Sequence, residues 1–551
     1  MASGCHWTFI RLAPSLALLA AAGFSAQAPG GYTIAGTVLN AVSGDPVRRA
    51  TVAILAESDS HTIASVESDA DGHFALGGLA AAKYQLTASK RGFRTAFYDE
   101  HDEFSTAIVT GPGQETEHLA FRLVPGAVLH GTVAGDGGDA VEGAKVMLFQ
   151  RIHQAPPGPG LGSRMVQVNW ATTDDTGAYD FNNLEAGEYW LAVEAEPWYA
   201  VHRSSAKRKG SGLDEAASAR AALDVAYPIT FFDSTTDEAS ASRLMLAGGS
   251  RVEADLNVHA VPALRLVVEV PNRADGSVGR AELRETIFGS AVSSKGGGFK
   301  DTYIDRGAVE FAGVAPGHYE VAQGEPARVA ELDVTTSQQV DASLGTLTVP
   351  VSGQLRTATG AALADEAIVT LSPMDGTRHQ QSVQAHAMRG AFSFAEVLPG
   401  TWELWAESAG KVLAVESVTV GNHTHAGNRL AVRDHAVSLI ATVNRGETRV
   451  EGFARKAAKG FAGAMIVLVP RDTAAWRALV RRDQSDSDGS FSLRDVVPGQ
   501  YTVIAIQEGW GLDWTNAEVI ARYLPGGVPV TVTSSSGKLM QLSPSVPVES
   551  R

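Results

Sequence analysis

Five times along the chain a glycine is followed by the same residue types at the same distances. The glycines are Gly72, Gly177, Gly307, Gly390 and Gly489. Two residues later stand Phe74, Tyr179, Val309, Phe392 and Phe491, and four later Leu76, Phe181, Phe311, Phe394 and Leu493. Seven later come Leu79, Leu184, Val314, Val397 and Val496. Ten later come Ala82, Gly187, Gly317, Gly400 and Gly499. Twelve later there is always an aromatic: Tyr84, Tyr189, Tyr319, Trp402 and Tyr501. Fourteen later stand Leu86, Leu191, Val321, Leu404 and Val503. A period held this strictly means tandem copies of one supersecondary unit.

The spacing has a physical reading. Glycine reaches positive φ at little steric cost, so it marks a tight turn. Apolar residues at offsets two and four alternate, which is the period of a half-buried strand. A second turn follows, written Pro316-Gly317, Pro399-Gly400 and Pro498-Gly499 in three copies. Offsets twelve and fourteen open another alternating strand. Each unit therefore reads as strand, turn, short strand, turn, strand.

Four units are preceded by a shared opening piece: Gly36-Thr37-Val38, Gly131-Thr132-Val133, Gly353-Gln354-Leu355 and Gly452-Phe453-Ala454. After a loop comes a second apolar stretch, for example Thr51 to Leu55 or Ala464 to Val469. The third copy lacks the glycine and opens with Leu264 to Val270. Many short strands with regular turn signals read as β-sandwiches. The predicted fold class is all-β: a tandem array of about five seven-stranded Greek-key-type β-sandwich domains, prealbumin-like or Ig-like. The predicted boundaries are 29–124, 125–262 with an inserted loop at 203–223, 263–347 for the degenerate copy, 348–447 and 448–551.

Two stretches stand outside the unit. Ala155-Pro156-Pro157-Gly158-Pro159-Gly160 reads as a stiff exposed loop. Arg203 to Leu223 begins basic, with Lys207-Arg208-Lys209, and continues as a short helix over Asp214 to Leu223. A solvated insertion is the favoured reading; an anionic docking patch or a processing site is the functional one.

Composition narrows the class. The 551 residues carry 61 acids against 45 bases, a net charge of −16, which argues against nucleic acid or an anionic lipid surface as a general partner. Residues 1–28 read as a secretory signal peptide. Arg11 is its only charge, an apolar run spans Leu12 to Phe24, and Ala26-Gln27-Ala28 offers small residues to a signal peptidase. The single cysteine, Cys5, falls inside it, so disulfides, thiolate metal sites and cysteine nucleophiles are excluded from the mature chain. No later segment has membrane-spanning length. The expected location is secreted, periplasmic or at the cell surface.

In residues 131 to 189 the order is Gly-Thr-Val, then Ala-Lys-Val-Met-Leu, then Asp-Asp-Thr-Gly-Ala-Tyr-Asp-Phe and Leu-Glu-Ala-Gly-Glu-Tyr. This pattern resembles the carboxypeptidase regulatory-like domain, itself similar to transthyretin-like and collagen-binding B-type sandwiches. The resemblance covers nearly all of the mature chain and is strongest in copies one, two and five. It implies a seven-stranded sandwich that accompanies secreted enzymes, receptors or surface proteins. A related fold binds starch, which brings in carbohydrate by analogy.

No catalytic spacing survives inspection. None of the fifteen histidines has glutamate three residues later, and there is no HExxH. His423-Thr424-His425 lacks a third ligand and reads as a solvated turn. Gly248-Gly249-Ser250-Arg251-Val252 lacks the second glycine of a nucleophile elbow. The acidic turns Asp69-Ala70-Asp71-Gly72, Asp174-Asp175-Thr176-Gly177 and Asp486-Ser487-Asp488-Gly489 have a calcium-loop spacing without its downstream acid. Tight-turn chemistry is the preferred reading. No metal or cofactor is expected.

The candidate ligand-binding residues are tryptophans: Trp198, Trp405, Trp510 and Trp514. Trp402 fills the repeated aromatic slot and belongs to the core, so Trp405 faces the other side of its strand. Trp510 and Trp514 follow the last repeated strand and are expected to be exposed. The reading is an exported, non-enzymatic multidomain protein acting as a binding, adhesion or scaffold module, with an extracellular or periplasmic protein or polysaccharide as partner. The alternative is a carbohydrate-binding accessory to a secreted enzyme or outer-membrane receptor system.

Overall fold

The computed structural model describes residues 31–551, apart from 57–60, 154–162, 203–222, 271–280, 290, 296–301, 306–307, 325, 342, 375–381, 473–475 and 535. The signal segment, the proline-rich loop, the basic insertion with the expected helix up to residue 222, and Gly307 lie outside the described residues. Strands make up 59% of the structure and helix 4%. The chain is an array of β-sandwiches.

One strand plan recurs five times. An opening strand lies between two neighbours, one antiparallel and one parallel. Tyr32–Asn40 pairs antiparallel with His73–Leu79, the strand after the first turn glycine, and parallel with Leu119–Leu123. Ala127–Ala134 holds the same place, between Ala178–Leu184 and the pieces Arg251–Glu253 and Leu256–Asn257. Val349–Thr357 sits between Ala391–Val397 and Val437–Asn444. Thr448–Lys456 sits between Ser490–Val496 and the pieces Leu539–Gln541 and Val546–Ser550. The copy with the degenerate sequence keeps the plan: Leu264–Glu269 pairs with Ala308–Val314 and with Gln338–Val340. The second sheet is built on the strand at offset twelve, as in Met465–Pro470 against Gly499–Gln507.

The turn glycines behave as the repeat requires. Gly72, Gly177, Gly390 and Gly489 have φ of 76–83°. Each accepts a 2.7–2.8 Å hydrogen bond at its carbonyl from the opening strand, at Val38, Val133, Leu355 and Ala454. A Cβ on any of the four would meet that residue's carbonyl oxygen at 2.5–2.7 Å. Two constraints, conformation and close approach, thus exclude other residues.

Offsets two to seven form the predicted short strand between the two turns, but the strand is not regular. Residues at offsets four and seven cannot both face inward on a regular strand, since their spacing is odd. All five copies restore the match with a register shift between those offsets. The residue at offset six takes positive φ in four of them: Gly78, Asn183, Gly313 and Asp495. This is a conserved-in-place β-bulge within one chain.

Every residue named at offsets two, four, seven, twelve and fourteen is buried. They anchor five separate hydrophobic clusters. The aromatic slot carries a further rule. Tyr84, Tyr189, Tyr319 and Tyr501 each donate their hydroxyl to the carbonyl four residues earlier, at 2.8–3.2 Å. Trp402 does the same with its indole N–H to Leu398, at 3.0 Å. That carbonyl sits in the second turn, so the slot needs a ring with a donor. Phenylalanine never fills it.

Candidate functional site

Met465-Ile466-Val467-Leu468-Val469 is apolar without alternation, and every residue of Met465–Pro470 is buried. A strand buried on both faces needs a cover on each. One face packs into the sandwich core; the other carries Met465, Val467 and Val469 into a second cluster with Trp476, Ile504, Ile506, Trp514 and Ile520. The cover is the segment after the last repeated strand, with its short helix Ala517–Ala521. This corrects the expectation that Trp510 and Trp514 are exposed. Trp514 is 6% exposed. Trp510 is half-buried and donates its indole N–H to the Gly463 carbonyl at 3.1 Å.

The outer rim of this cover meets the first sandwich, almost four hundred residues away in sequence. Arg482 is the centre of that contact. Its side chain is 2% exposed, and its guanidinium lies 3.6 Å from the Trp514 ring centroid. Phe104 and Trp510 flank it at 5.2 and 5.7 Å. Its nitrogens reach the carboxylates of Asp102 at 2.8 Å and Glu103 at 3.4 Å. His101 stacks on Trp510 with centroids 5.1 Å apart and planes at 8°. An enclosed guanidinium over aromatic faces is a strong use of arginine, because water does not compete with the rings for the cation.

Beside it runs a polar seam. Gln484 donates to the Asp99 carbonyl at 2.5 Å and to the Thr106 hydroxyl at 2.7 Å. The Ser487 N–H donates to the Ala107 carbonyl at 2.9 Å, and the Val109 N–H donates to the Ser487 hydroxyl at 2.8 Å. The seam ends on Asp486. Its carboxylate accepts from Lys83 Nζ at 2.6 Å and from the Ala107 N–H at 3.1 Å.

Asp486 occupies the turn slot held by Asp69 and Asp174 in the first two copies. Asp69 Oδ1 accepts from the N–H groups of Asp71 and His73, at 2.9 and 2.8 Å. Asp174 Oδ1 accepts from Thr176 and Ala178, both at 2.9 Å. These are Asx-type turns in which the carboxylate caps its own backbone. In the fifth copy Asp488 takes over the local bond, accepting from the Ser490 N–H at 2.9 Å, and Asp486 turns to the first sandwich. The electrostatics follow. The Thr176 hydroxyl, with backbone N–H donors, holds the Asp174 carboxyl below the usual range. Burial pushes the Asp486 carboxyl up, and Lys83 opposes that shift.

Asp483, on the strand Arg481–Gln484, keeps some solvent contact as a residue, yet desolvation pushes its carboxyl up to about 7; the Ser492 N–H, donating at 2.5 Å, works against the shift. A carboxyl with a raised folded pKa penalises folding once the unfolded chain would ionise. Its contribution is full below about pH 4 and is lost as pH rises through about 7. Asp483→Asn keeps an acceptor for Ser492. It is expected to stabilise the fifth sandwich by about 1–3 kcal/mol at pH 8 and to change nothing at pH 3.5, read by denaturant melts at both pH values.

The other tryptophans divide. Trp402 is in the core of the fourth sandwich and Trp405 is not, as the strand alternation requires. Trp405 is nonetheless buried, under Arg477 of the fifth sandwich, whose guanidinium is 5.4 Å from the ring centroid. Arg477 also pairs with Glu403 at 2.8 Å. Phe288 plays the same part between the second and third sandwiches, edge-on to Phe149 and Phe231 at 4.9 and 5.0 Å. Trp198 stands apart: it is 88% exposed, with Tyr199 edge-on beside it. Of the four candidates, three lie in contacts between parts of the chain. The sequence marked Ala464 to Val469 as an apolar strand; what that reading missed is that a strand apolar on both faces calls for an outer cover.

The chemistry of this junction is association. Among the described residues no group of three or more His, Cys, Asp or Glu side chains could hold a metal ion. His423 and His425 lie on an exposed short strand, His423–Ala426, not in a turn. Among the described residues no helix is long and apolar enough to cross a membrane.

Residues 33–124 match the model of the carboxypeptidase regulatory-like domain. No curated protein matches the sequence. Among solved structures, the chain is similar to the Bacillus anthracis TIE protein at 10% identity and a TM-score of 0.17, covering 75% of this chain and 74% of that one. It is similar to a streptococcal ancillary pilin at 12% identity and a TM-score of 0.21, covering 51% and 99%. The shaft pilin SpaA of Lactobacillus rhamnosus GG gives 10% identity and a TM-score of 0.19, covering 42% and 98%.

Proposed function

We propose that this is an exported, non-catalytic scaffold that presents binding loops from a closed frame of β-sandwiches. The observation that carries the reading is the junction at Arg482: the strongest polar and aromatic constellation among the described residues ties the first sandwich to the last. A chain joined at both ends holds its intervening loops in fixed relation, and sandwich loops are the usual sites of recognition. Residues 1–28 act as the export signal in this reading, so the mature protein starts at Pro29.

The test uses the mature protein against peptide and polysaccharide substrates, with and without divalent metals. No turnover is expected in any pairing. Sustained hydrolysis, lost on changing one residue, contradicts the reading.

A carbohydrate-binding role keeps one supporting observation, the exposure of Trp198. On any neutral polysaccharide that retains wild type, Trp198→Ala is expected to abolish retention with the melting temperature unchanged. Retention equal to wild type removes that role from Trp198. Changes at Trp510 or Trp514 cannot serve as this test, since both rings hold the fold together.

A further inference from the structure

The closed frame creates a cleft that no single sandwich has. A cavity of about 670 Å³ is lined by Lys83 of the first sandwich together with Arg449 and Arg494 of the fifth. A second, of about 400 Å³, shares the same two arginines and adds Lys411 of the fourth sandwich and Lys538 of the fifth. The shared arginines make the two one continuous cleft, open to solvent. Its walls carry five cationic side chains against two acidic ones, Glu447 and Asp495; Asp486 and Glu451 pair with Lys83 and Arg449 from beside it, and the cations remain in the majority. That inverts the balance of a chain with a net charge of −16.

The ion pairs place these cations. Lys83 is held by Asp486 at 2.6 Å in one cavity, and Lys411 by Asp495 at 2.8 Å in the other. Between them stand the two guanidiniums, of which Arg449 lies 3.6 Å from Glu451. Guanidinium groups receive carboxylates through two parallel hydrogen bonds. Cations drawn from three sandwiches and spread along an open cleft match a linear polymer with a charge on each repeat.

We propose that this cleft binds a carboxylate-bearing polysaccharide, with Arg449 and Arg494 as the central contacts. A shallow open cleft offers few contacts, so it favours a ligand that loses little freedom on binding. A stiff uronate chain meets that condition better than a disordered acidic peptide, which is ordered only at a cost. The inference rests on the protein being a binding module. It also ties binding to closure, because Lys83 joins the cleft only when the first and fifth sandwiches touch.

The test is retention of the mature protein on immobilised polygalacturonate, with neutral dextran and poly-glutamate columns alongside. Wild type is expected to bind polygalacturonate at low salt, to elute as salt screens the charges, and to pass through dextran. Arg449→Glu with Arg494→Glu is expected to weaken retention at least tenfold with an unchanged melting temperature. Lys538→Glu, an exposed single change, gives a smaller loss and serves if the double variant is poorly folded. Retention of either variant equal to wild type overturns the proposal, as does wild-type binding to poly-glutamate alone or to none of the columns. Failure on every column leaves the non-catalytic scaffold reading intact, since turnover assays test that separately.

Discussion

Arg482→Ala is expected to open the contact between the first and fifth sandwiches while leaving each of them folded. The side chain is enclosed, so its removal loses the stacking on Trp514 and the packing of its apolar stem as well as charge. The desolvated cation–π contact and that packing together are worth about 2–4 kcal/mol of closing free energy. The carboxylates of Asp102 and Glu103 are half exposed and rehydrate on release, so they add little to the loss. The Val109 amide, which donates to the Ser487 hydroxyl, reports the event. Its hydrogen exchange is expected to rise by about 30-fold or more, following the lost closing energy, while core amides of the first sandwich such as Ile54 stay protected. Arg482→Lys keeps the charge without the planar face and should fall between the two. Unchanged exchange at Val109 in the alanine variant would show that Arg482 does not hold the junction.

Tyr501→Ala is expected to cost the fifth sandwich about 3–5 kcal/mol, the range for emptying a large buried aromatic site. Tyr501 is 3% exposed and packs with Val450, Leu468 and Val503 in one cluster. Tyr501→Phe isolates the second role of the slot. It keeps the ring but leaves the buried Val497 carbonyl without its 2.8 Å donor, a loss of about 1–2 kcal/mol. Denaturant melts of the two variants should therefore separate by about 2–3 kcal/mol. A phenylalanine variant as stable as wild type would mean that donation from offset twelve is incidental in all five copies.

Much of the fold was legible because the repeat records the core directly. Phe74, Leu76, Leu79, Tyr84 and Leu86, and their counterparts, are the inward residues, and inward positions repeat when a sandwich repeats. The bulge was written in the odd step from offset four to seven, and the donor rule in the absence of phenylalanine at offset twelve. The closing strands, such as Leu119–Leu123, left no signal because they pair in parallel with a strand some eighty residues earlier and carry no shared turn. The junction was least legible. Asp486 looks like any turn aspartate, and nothing local shows that its carboxylate serves Lys83, about four hundred residues away. Trp510 and Trp514 looked exposed because they fall outside the repeated slots; a second core on the outer face of Met465–Pro470 claims them instead.

Carbodiimide coupling followed by mass spectrometry of the monomeric protein tests the closed frame most directly. The reagent joins an amine and a carboxylate already in contact and adds no spacer. Lys411 and Asp495, 2.8 Å apart across the fourth and fifth sandwiches, provide the internal control. The account predicts a second product linking Lys83 to Asp486, whose atoms lie 2.6 Å apart although the residues are 403 positions apart in sequence. Recovery of the Lys411–Asp495 product without any Lys83–Asp486 product would contradict closure of the first sandwich on the last.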